Sequence, residues 1–431
     1  MVETQNPMLR VMSLRDFRLL FAGTTTSLLG DQFALIATPW LTLKLTGDPL
    51  ALGIVLALEG LPRAVFMLLG GAITDRFSPR LIMLISDIIR FILTTLMALV
   101  IFTGTVQLWM LYLFSLGFGL VAGFAVPAGN SIVPMLVEEQ DLQAGNSIMM
   151  GSVQLVSFIG PTVAGILIGK YSSSYLGIGL AFAIDAVSFG VSAVCLWLIH
   201  GGGGMSQFAG DAPEKERVWI SILNGVKSLW HDKALRLMFL VIMATNFLIL
   251  GPLLVGIPVL ADQRLPEGAV AFGLLMSAYA GGNPGGYLMA GSLPRPSGIV
   301  MRIIMIGLLV AFGAVIGSLG FISSTWVDFS LLLLLGLGNG YIAIIFFTWI
   351  QMRTPREMLG RMMSLLILSS TGLVPISQAI SGVVSKWDLN ALFVAAGTLV
   401  LLVTLWAAFH PELKTLSENL AVRKAISSSS L

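Results

Sequence analysis

Twelve stretches of about 20 apolar residues, parted by short polar breaks, run through the chain. They fall near residues 17–43, 50–74, 81–102, 108–130, 147–169, 175–199, 235–261, 268–291, 299–320, 327–349, 362–384 and 390–409. Each is long enough to cross the hydrocarbon of a bilayer. Lipid offers the backbone no hydrogen-bond partners, so each run is predicted to be a helix. Composition points the same way. Of the 431 residues, 56% are hydrophobic and 11% charged, where soluble domains carry about 25% charged residues. The expectation is an all-α membrane protein with twelve transmembrane helices.

Lysine and arginine set the orientation. Of 24 such residues, eighteen fall on the side of the N-terminus. Only Lys44, Lys170, Arg264 and Lys386 fall on the other side, while Arg63 and Arg90 lie inside runs. Positive charge stays in the cytoplasm, so both termini are expected there. The longest break, 200–234, opens on HGGGGMSQFAGDAPEKER, a flexible Gly-rich linker. It continues as WISILNGVKSLW, predicted to be an amphipathic helix on the inner surface. The domains expected are therefore a six-helix bundle over 1–199, the linker over 200–234, a second six-helix bundle over 235–409 and a cytoplasmic tail over 410–431. No cleavable signal peptide is expected, because the first run is long enough to span.

Several function classes fall away. A net charge of +2 is too small for a nucleic-acid partner. The single cysteine, Cys195, sits in an apolar run and reads as a buried structural thiol. His200, His231 and His410 are scattered at run ends, so no metal site is expected. No cofactor is expected either: GFGLVAG at 117–123 and GLGNG at 336–340 lie inside spanning helices and follow no strand, and there is no P-loop lysine. No nucleophile–base pair suggests an enzyme.

Charges within the runs are the sharper clue, since each costs roughly 2.5–3.5 kcal/mol at the bilayer centre. At 1.5 Å per residue, Asp31, Glu59 and Asp185 each lie roughly 20 Å from the inner face. Arg63 and Arg90 lie roughly 17 Å up, with Asp87 one turn below Arg90. Glu59 and Arg63 are four apart and share a helix face, with Pro62 weakening the ladder between them. The pair reads equally as a titratable acid with a releasable cation or as a permanent ion pair locking helices together. Asp31, flanked by Gly30 and Gln32, is the stronger candidate for proton coupling. The second half has no charge at this depth. It offers Asn246, Tyr279, Asn283, Asn339, Tyr341 and Gln378, which with Gln32 are candidate substrate contacts.

The loop GGAITDRFSPR, with Gly71, Asp75, Arg76 and Arg80, resembles the signature loop of the major facilitator superfamily; Ser78 and Pro79 depart from its pattern. AGSLPRPSG at 290–298 is a degenerate copy. GSVQLVSFIGPTVAG, with Gly151, Gly160, Pro161 and Gly165, resembles that superfamily's antiporter motif, though Val156 and Ala164 replace expected glycines. SLLGDQFALIATPWLTLKLTGDPLALG, SDIIRF, AVPAGNSIVPMLV, IDAVSF and QMRTPREMLGRMMSL together resemble the branch of macrolide-efflux proteins and the enterobactin exporter.

The resemblance implies two pseudosymmetric six-helix bundles around a cavity and export of small amphipathic compounds driven by protons. It implies a monomer in a bacterial inner membrane, with the lipid bilayer, protons and a small-molecule substrate as partners. The signature loop would act as a conformational latch, its arginines pairing with acids on the inner surface. Runs 3 and 6 would be peripheral supports, so Asp87, Arg90 and Asp185 read as a structural charge network. The rivals are an exporter dedicated to a native metabolite such as a siderophore, a lysophospholipid flippase and a non-transporting sensor.

Overall fold

The computed structural model describes residues 6–74, 77–200, 227, 230–294, 296, 298–354, 358–410 and 412. Asp75, Arg76, Arg295, most of the predicted linker helix and most of the tail lie outside the described residues. What is described is all helical. A short α1 (Pro7–Ser13) precedes α2 (Arg15–Thr46), α3 (Pro49–Thr74), α4 (Pro79–Phe102), α5 (Leu108–Leu136), α6 (Leu142–Lys170) and α7 (Leu176–Leu198). The second half contributes α8 (Lys233–Arg264), α9 (Ala269–Ser292), α10 (Gly298–Leu319), α11 (Thr325–Arg353), α12 (Leu359–Thr371), α13 (Val374–Trp387) and α14 (Leu389–Phe409).

Short polar residues and glycine start and stop these helices. Gly47, at φ +61°, ends α2 in the left-handed region that a side chain would resist. The Asp48 carboxylate then accepts the Leu50 amide at 3.0 Å, opening α3 with Pro49 at its first position. Asp232 does the same for α8, accepting the amides of Ala234 and Leu235 at 3.0 and 3.1 Å. The eleventh run departs from the single helix expected over 362–384. It breaks at Gly372–Leu373, between α12 and α13. Pro375 has no amide for the Thr371 carbonyl, and its ring clashes with an uninterrupted turn there.

Eleven helical stretches among the described residues are long and apolar enough to cross a membrane, one of them (Leu365–Trp387) running through α12 and α13. Their amphipathicity is inverted relative to a soluble protein. On α4, Leu81, Ile85, Ile88, Ile92, Leu96 and Leu99 form an exposed apolar stripe, while Ser86, Asp87, Arg90 and Thr94 point inward and are buried. That arrangement is favourable only where the surroundings are oil. Exposed tryptophans stand at helix ends, with Trp109 beginning α5, Trp326 beginning α11 and Trp387 ending α13. Such positions suit the membrane–water boundary.

The chain divides into two compact units, residues 1–213 with 261–277, and residues 214–260 with 278–431. In the first, α2 packs on α6 and α7, α3 on α5, and α4 on α5 and α7. Val11, Phe17, Leu20, Ile132, Val133, Val137, Ala144, Leu196 and Ile199 form a core where α1 meets the ends of α2, α5, α6 and α7. In the second, α10 packs on α11 and α14, and α13 on α14. There α9 lies against α11, and α8 against α13 and α14.

Candidate functional site

Close helix contacts place the first unit's charges. On α5, a Cβ at Gly119 would strike the Glu59 carbonyl of α3, and one at Gly123 would lie 2.6 Å from the Phe66 Cβ. These small residues bring α5 onto the stretch of α3 that carries Glu59 and Arg63. On α2, a Cβ at Gly30 would strike the Ser188 hydroxyl and come within 2.6 Å of Asp185 Oδ1 on α7. Asp31 is the next residue. Gln32 lies over Gly160 of α6, its Cγ 2.5 Å from where a Cβ would stand.

Asp31 and Glu59 are partly exposed and Arg63 is exposed. The locked ion pair that Glu59 and Arg63 could have formed is not made. Arg10–Asp141 and Arg353–Asp232 are ion pairs among the described residues, and neither involves Glu59 or Arg63. Glu59 and Arg63 are nonetheless electrostatic neighbours, and Asp31, Asp185 and Arg90 are within reach of the same field. Asp87 accepts a hydrogen bond from the Ser192 hydroxyl at 2.6 Å. The Arg90 guanidinium lies over the rings of Phe118 and Phe189, at 5.0 and 5.3 Å from their centroids.

Gly165, Pro161 and Arg80 of the two motifs make packing and capping contacts. A Cβ at Gly165 would come 2.6 Å from the Ala269 carbonyl at the start of α9. There Pro161 approaches Gly273, and Thr162 donates its amide to the Ser277 hydroxyl at 3.0 Å. Gly151 meets no neighbour within 4 Å. Gly71 lies in the last turn of α3. Arg80 does not pair with an acid as expected. It donates to the carbonyls of Leu196 and Trp197 at 2.7 Å each. Those carbonyls belong to the last turn of α7, where no intrahelical amide remains for them and the helix dipole is negative.

In the second unit three of the candidate contacts form a neutral hydrogen-bonded chain. Asn339 Nδ2 donates to Asn283 Oδ1 at 2.8 Å, and Asn283 Nδ2 donates to the Tyr279 carbonyl at 2.9 Å. Asn246 donates to the Ile242 carbonyl one turn back at 2.9 Å. Tyr341 and Gln378 are buried, and the Gln378 Oε1 has no partner among the described residues. Sequence reasoning passed over Asp328 in the first turn of α11, which is fully buried with both carboxylate oxygens unpartnered among the described residues. A lone acid opening the run WVDFSLLLLL was the available signal.

A multi-pass helical membrane protein with carboxylates part-exposed at mid-span belongs with the transporters. The family model described as Major Facilitator Superfamily matches residues 20–377, and the chain belongs to that superfamily. Multidrug efflux pump Tap of Mycolicibacterium fortuitum is 24% identical over 418 residues, covering 92% of this chain and 96% of that one. Enterobactin exporter EntS of Salmonella typhimurium is 26% identical over 357 residues, 80% of each chain. Macrolide efflux protein A of Streptococcus pyogenes is 26% identical over 187 residues, 43% of this chain and 44% of its own. The chain is thus similar to efflux proteins within a family of transporters for small molecules, and it is not an enzyme.

Proposed function

We propose that this protein exports small amphipathic compounds, of the macrolide or multidrug kind, in exchange for protons. In this reading α9 is a twelfth span, although its glycines and Asn283 keep it less apolar than the others. At 24 residues it is about 36 Å long, enough to cross the hydrocarbon. The twelve spans would form two six-helix bundles that rock about a central site in a bacterial inner membrane, with both termini cytoplasmic. The linker 200–234 would join bundles over 1–199 and 235–409, and the molecule would act as a monomer.

One observation carries the proton assignment. Asp31 and Glu59 are mid-span carboxylates, partly exposed, with no ion pair to any described residue. A permanently structural charge would be closed off and paired. A carboxylate left open and unpaired at that depth is suited to taking a proton from one side and releasing it to the other. Asp31 is the expected carrier, with Glu59 and Arg63 setting its field. The amide chain of Asn339, Asn283 and Tyr279, together with Asn246 and Gln32, supplies neutral contacts for substrate.

The experiment uses purified protein in liposomes holding a pH-sensitive dye, under an imposed proton gradient, with a panel of macrolides, cationic dyes and catecholate siderophores. Proton movement that depends on an added compound and disappears in Asp31→Asn is the expected result. Substrate flux with no proton response sinks the coupling assignment. The similarity to EntS over 80% of each chain favours a second reading, export of one siderophore-like metabolite. A response to the siderophores alone selects it.

A further inference from the structure

The best-enclosed carboxyl of the first unit is Asp185, which the coupling scheme above does not use. It sits at the centre of α7 with 0% exposure, and neither carboxylate oxygen has a hydrogen-bond partner among the described residues. The nearby hydroxyl of Ser188 is committed elsewhere, donating to the Asp185 backbone carbonyl at 2.7 Å. A carboxylate stripped of water and donors is very unfavourable, and such a group holds its proton instead.

The surroundings argue against a merely structural acid. A supporting acid is expected to be hydrogen-bonded, as Asp87 is by Ser192 two turns along the same helix pair. Asp185 instead faces charge that it does not touch. From α2 it meets Gly30 and, one residue on, Asp31. From α4 Arg90, and from α3 Glu59, lie within electrostatic reach, while Asp87 of α4 is held by Ser192. The α6 face brings only Lys170 at its far end. Arg90 is the nearby cation, with 9% exposure, its Nε unpartnered and its guanidinium resting on Phe118 and Phe189. A buried acid without a cation and a buried cation without an acid therefore occupy adjacent helices.

The geometry points to Asp185 as a second exchangeable proton site, with Arg90 as its counter-charge once the proton has left. Protonated, the acid is neutral and Arg90 stays on the two rings. When the proton departs towards Asp31, the carboxylate gains the guanidinium and the pair is electrically satisfied. Gly30 is what lets α2 come close enough for the two acids to share this field. The role in coupling rests on the exporter reading above; the site itself does not.

Infrared spectroscopy of the protein in lipid nanodiscs tests the site without any substrate. The wild type is expected to show a carbonyl stretch from a protonated carboxylic acid that is absent in Asp185→Asn. That band should fade reversibly as the pH is raised through the range in which the protein stays folded. Its pH dependence should change in Arg90→Gln. Should the Asn variant fail to fold, Asp185→Glu keeps the acid and assigns the band by moving its frequency. A band that Asp185 variants leave untouched, or one that stays constant across the whole pH range, overturns the proposal. The dye-loaded liposomes then read its part in transport. Asp185→Asn should lower the protons moved per substrate about twofold while substrate still binds, and an unchanged ratio overturns that part. If no compound moves protons in the wild type, the exporter reading has failed, and the infrared titration still decides whether Asp185 exchanges.

Discussion

The two units solve the same packing problem with different chemistry at the same places. In the first, Gly119 and Gly123 of α5 bring it onto α3 at Glu59 and Arg63; in the second, Gly336 and Gly340 of α11 bring it onto α9 at Tyr279 and Asn283. The spacing of four is kept in both the glycines and the residues they face. A charged pair in one unit thus answers a neutral hydrogen-bonding pair in the other. The helix pair α4–α7 has its counterpart in α10–α14. Arg80 at the start of α4 donates to carbonyls near the end of α7, and Arg302 near the start of α10 donates to the Ala408 carbonyl near the end of α14 at 2.9 Å. Between those ends α4 carries Asp87 and Arg90, whereas α10 carries buried Met305, Leu309 and Phe312. The scaffold is repeated, and at these corresponding mid-helix places the charged side chains are confined to one copy.

The repeated scaffold can be broken most directly at its glycines. A Cβ at Gly119 would meet the Glu59 backbone and one at Gly336 the Tyr279 backbone, and backbone cannot swing aside. Gly119→Ala and Gly336→Ala should each destabilise by about 3 kcal/mol, the upper range for overpacking, read as a lowered unfolding temperature in detergent. Gly117→Ala is the control, because its nearest obstacle is the Leu93 Cδ1 at 3.4 Å. Tolerance in one unit and collapse in the other would mean that the two copies are not built alike.

The chemical contrast can be sharpened next. Asp31→Asn or Glu59→Gln should cut proton-coupled transport about 100-fold, the lower range for a lost proton-transfer group. Tyr279→Phe or Asn283→Ala should leave proton coupling standing and reorder substrate preference within about tenfold. Equal loss of proton coupling from both sets, measured in the same liposomes, would erase the division of labour.

How far the sequence exposes this contrast depends on what a helix pattern encodes. Run length and apolarity mark spans, and counting residues places Asp31, Glu59 and Asp185 at one depth. Rotation about the helix axis is much less legible when most residues are apolar. For that reason Asp185 reads as a peripheral support, yet it faces Gly30 without a donor, and Glu59 and Arg63 can share a face without pairing. Arg80 shows a second blind spot. Its partners are backbone carbonyls, which every residue carries, so no partner residue advertises the contact. Pro375 was visible in the eleventh run, but a proline can either kink or end a helix, and only packing decides.

An ion pair also stands among the described residues of each unit, with the signs exchanged. In the first, Arg10 of α1 binds Asp141 beside α6, its Nε to Oδ2 at 2.7 Å. The hydrogen bond to Asp141 holds the Arg10 guanidinium above its ordinary range. In the second, Asp232 ahead of α8 binds Arg353 of α11, with Nε to Oδ2 at 2.7 Å and a second bond at 3.1 Å. Burial alone would raise the Asp232 carboxyl. The Arg353 bond and the amides of Leu235 and Ala234 outweigh it and hold the group below the usual carboxylate range. A depressed carboxyl stabilises the fold above its unfolded pKa, and that contribution is lost as pH falls through the folded value. Asp232→Ala should therefore cost about 1–2 kcal/mol at pH 7, from the lost cap and a partly screened ion pair. The difference from wild type should vanish in acid below the ordinary carboxylate range. A deficit that persists there would show that Asp232 acts through packing.

The smallest effect separates the two arginine caps. Arg80 satisfies two carbonyls with a planar fork, and Arg302 satisfies one. Both meet the negative end of a helix, where a cation contributes about 0.3–1 kcal/mol at an exposed site. Arg80→Gln should fall near the top of that range and Arg302→Gln near the bottom, measured as shifts in unfolding temperature at low salt. Added salt should shrink both differences, since part of each is charge on dipole. Arg80→Lys separates the two contributions in the first unit. Lysine keeps the charge and loses the fork, so it should recover the salt-sensitive part and not the rest. Full recovery by lysine would make the cap purely electrostatic, and the two units would then differ at this contact only in geometry.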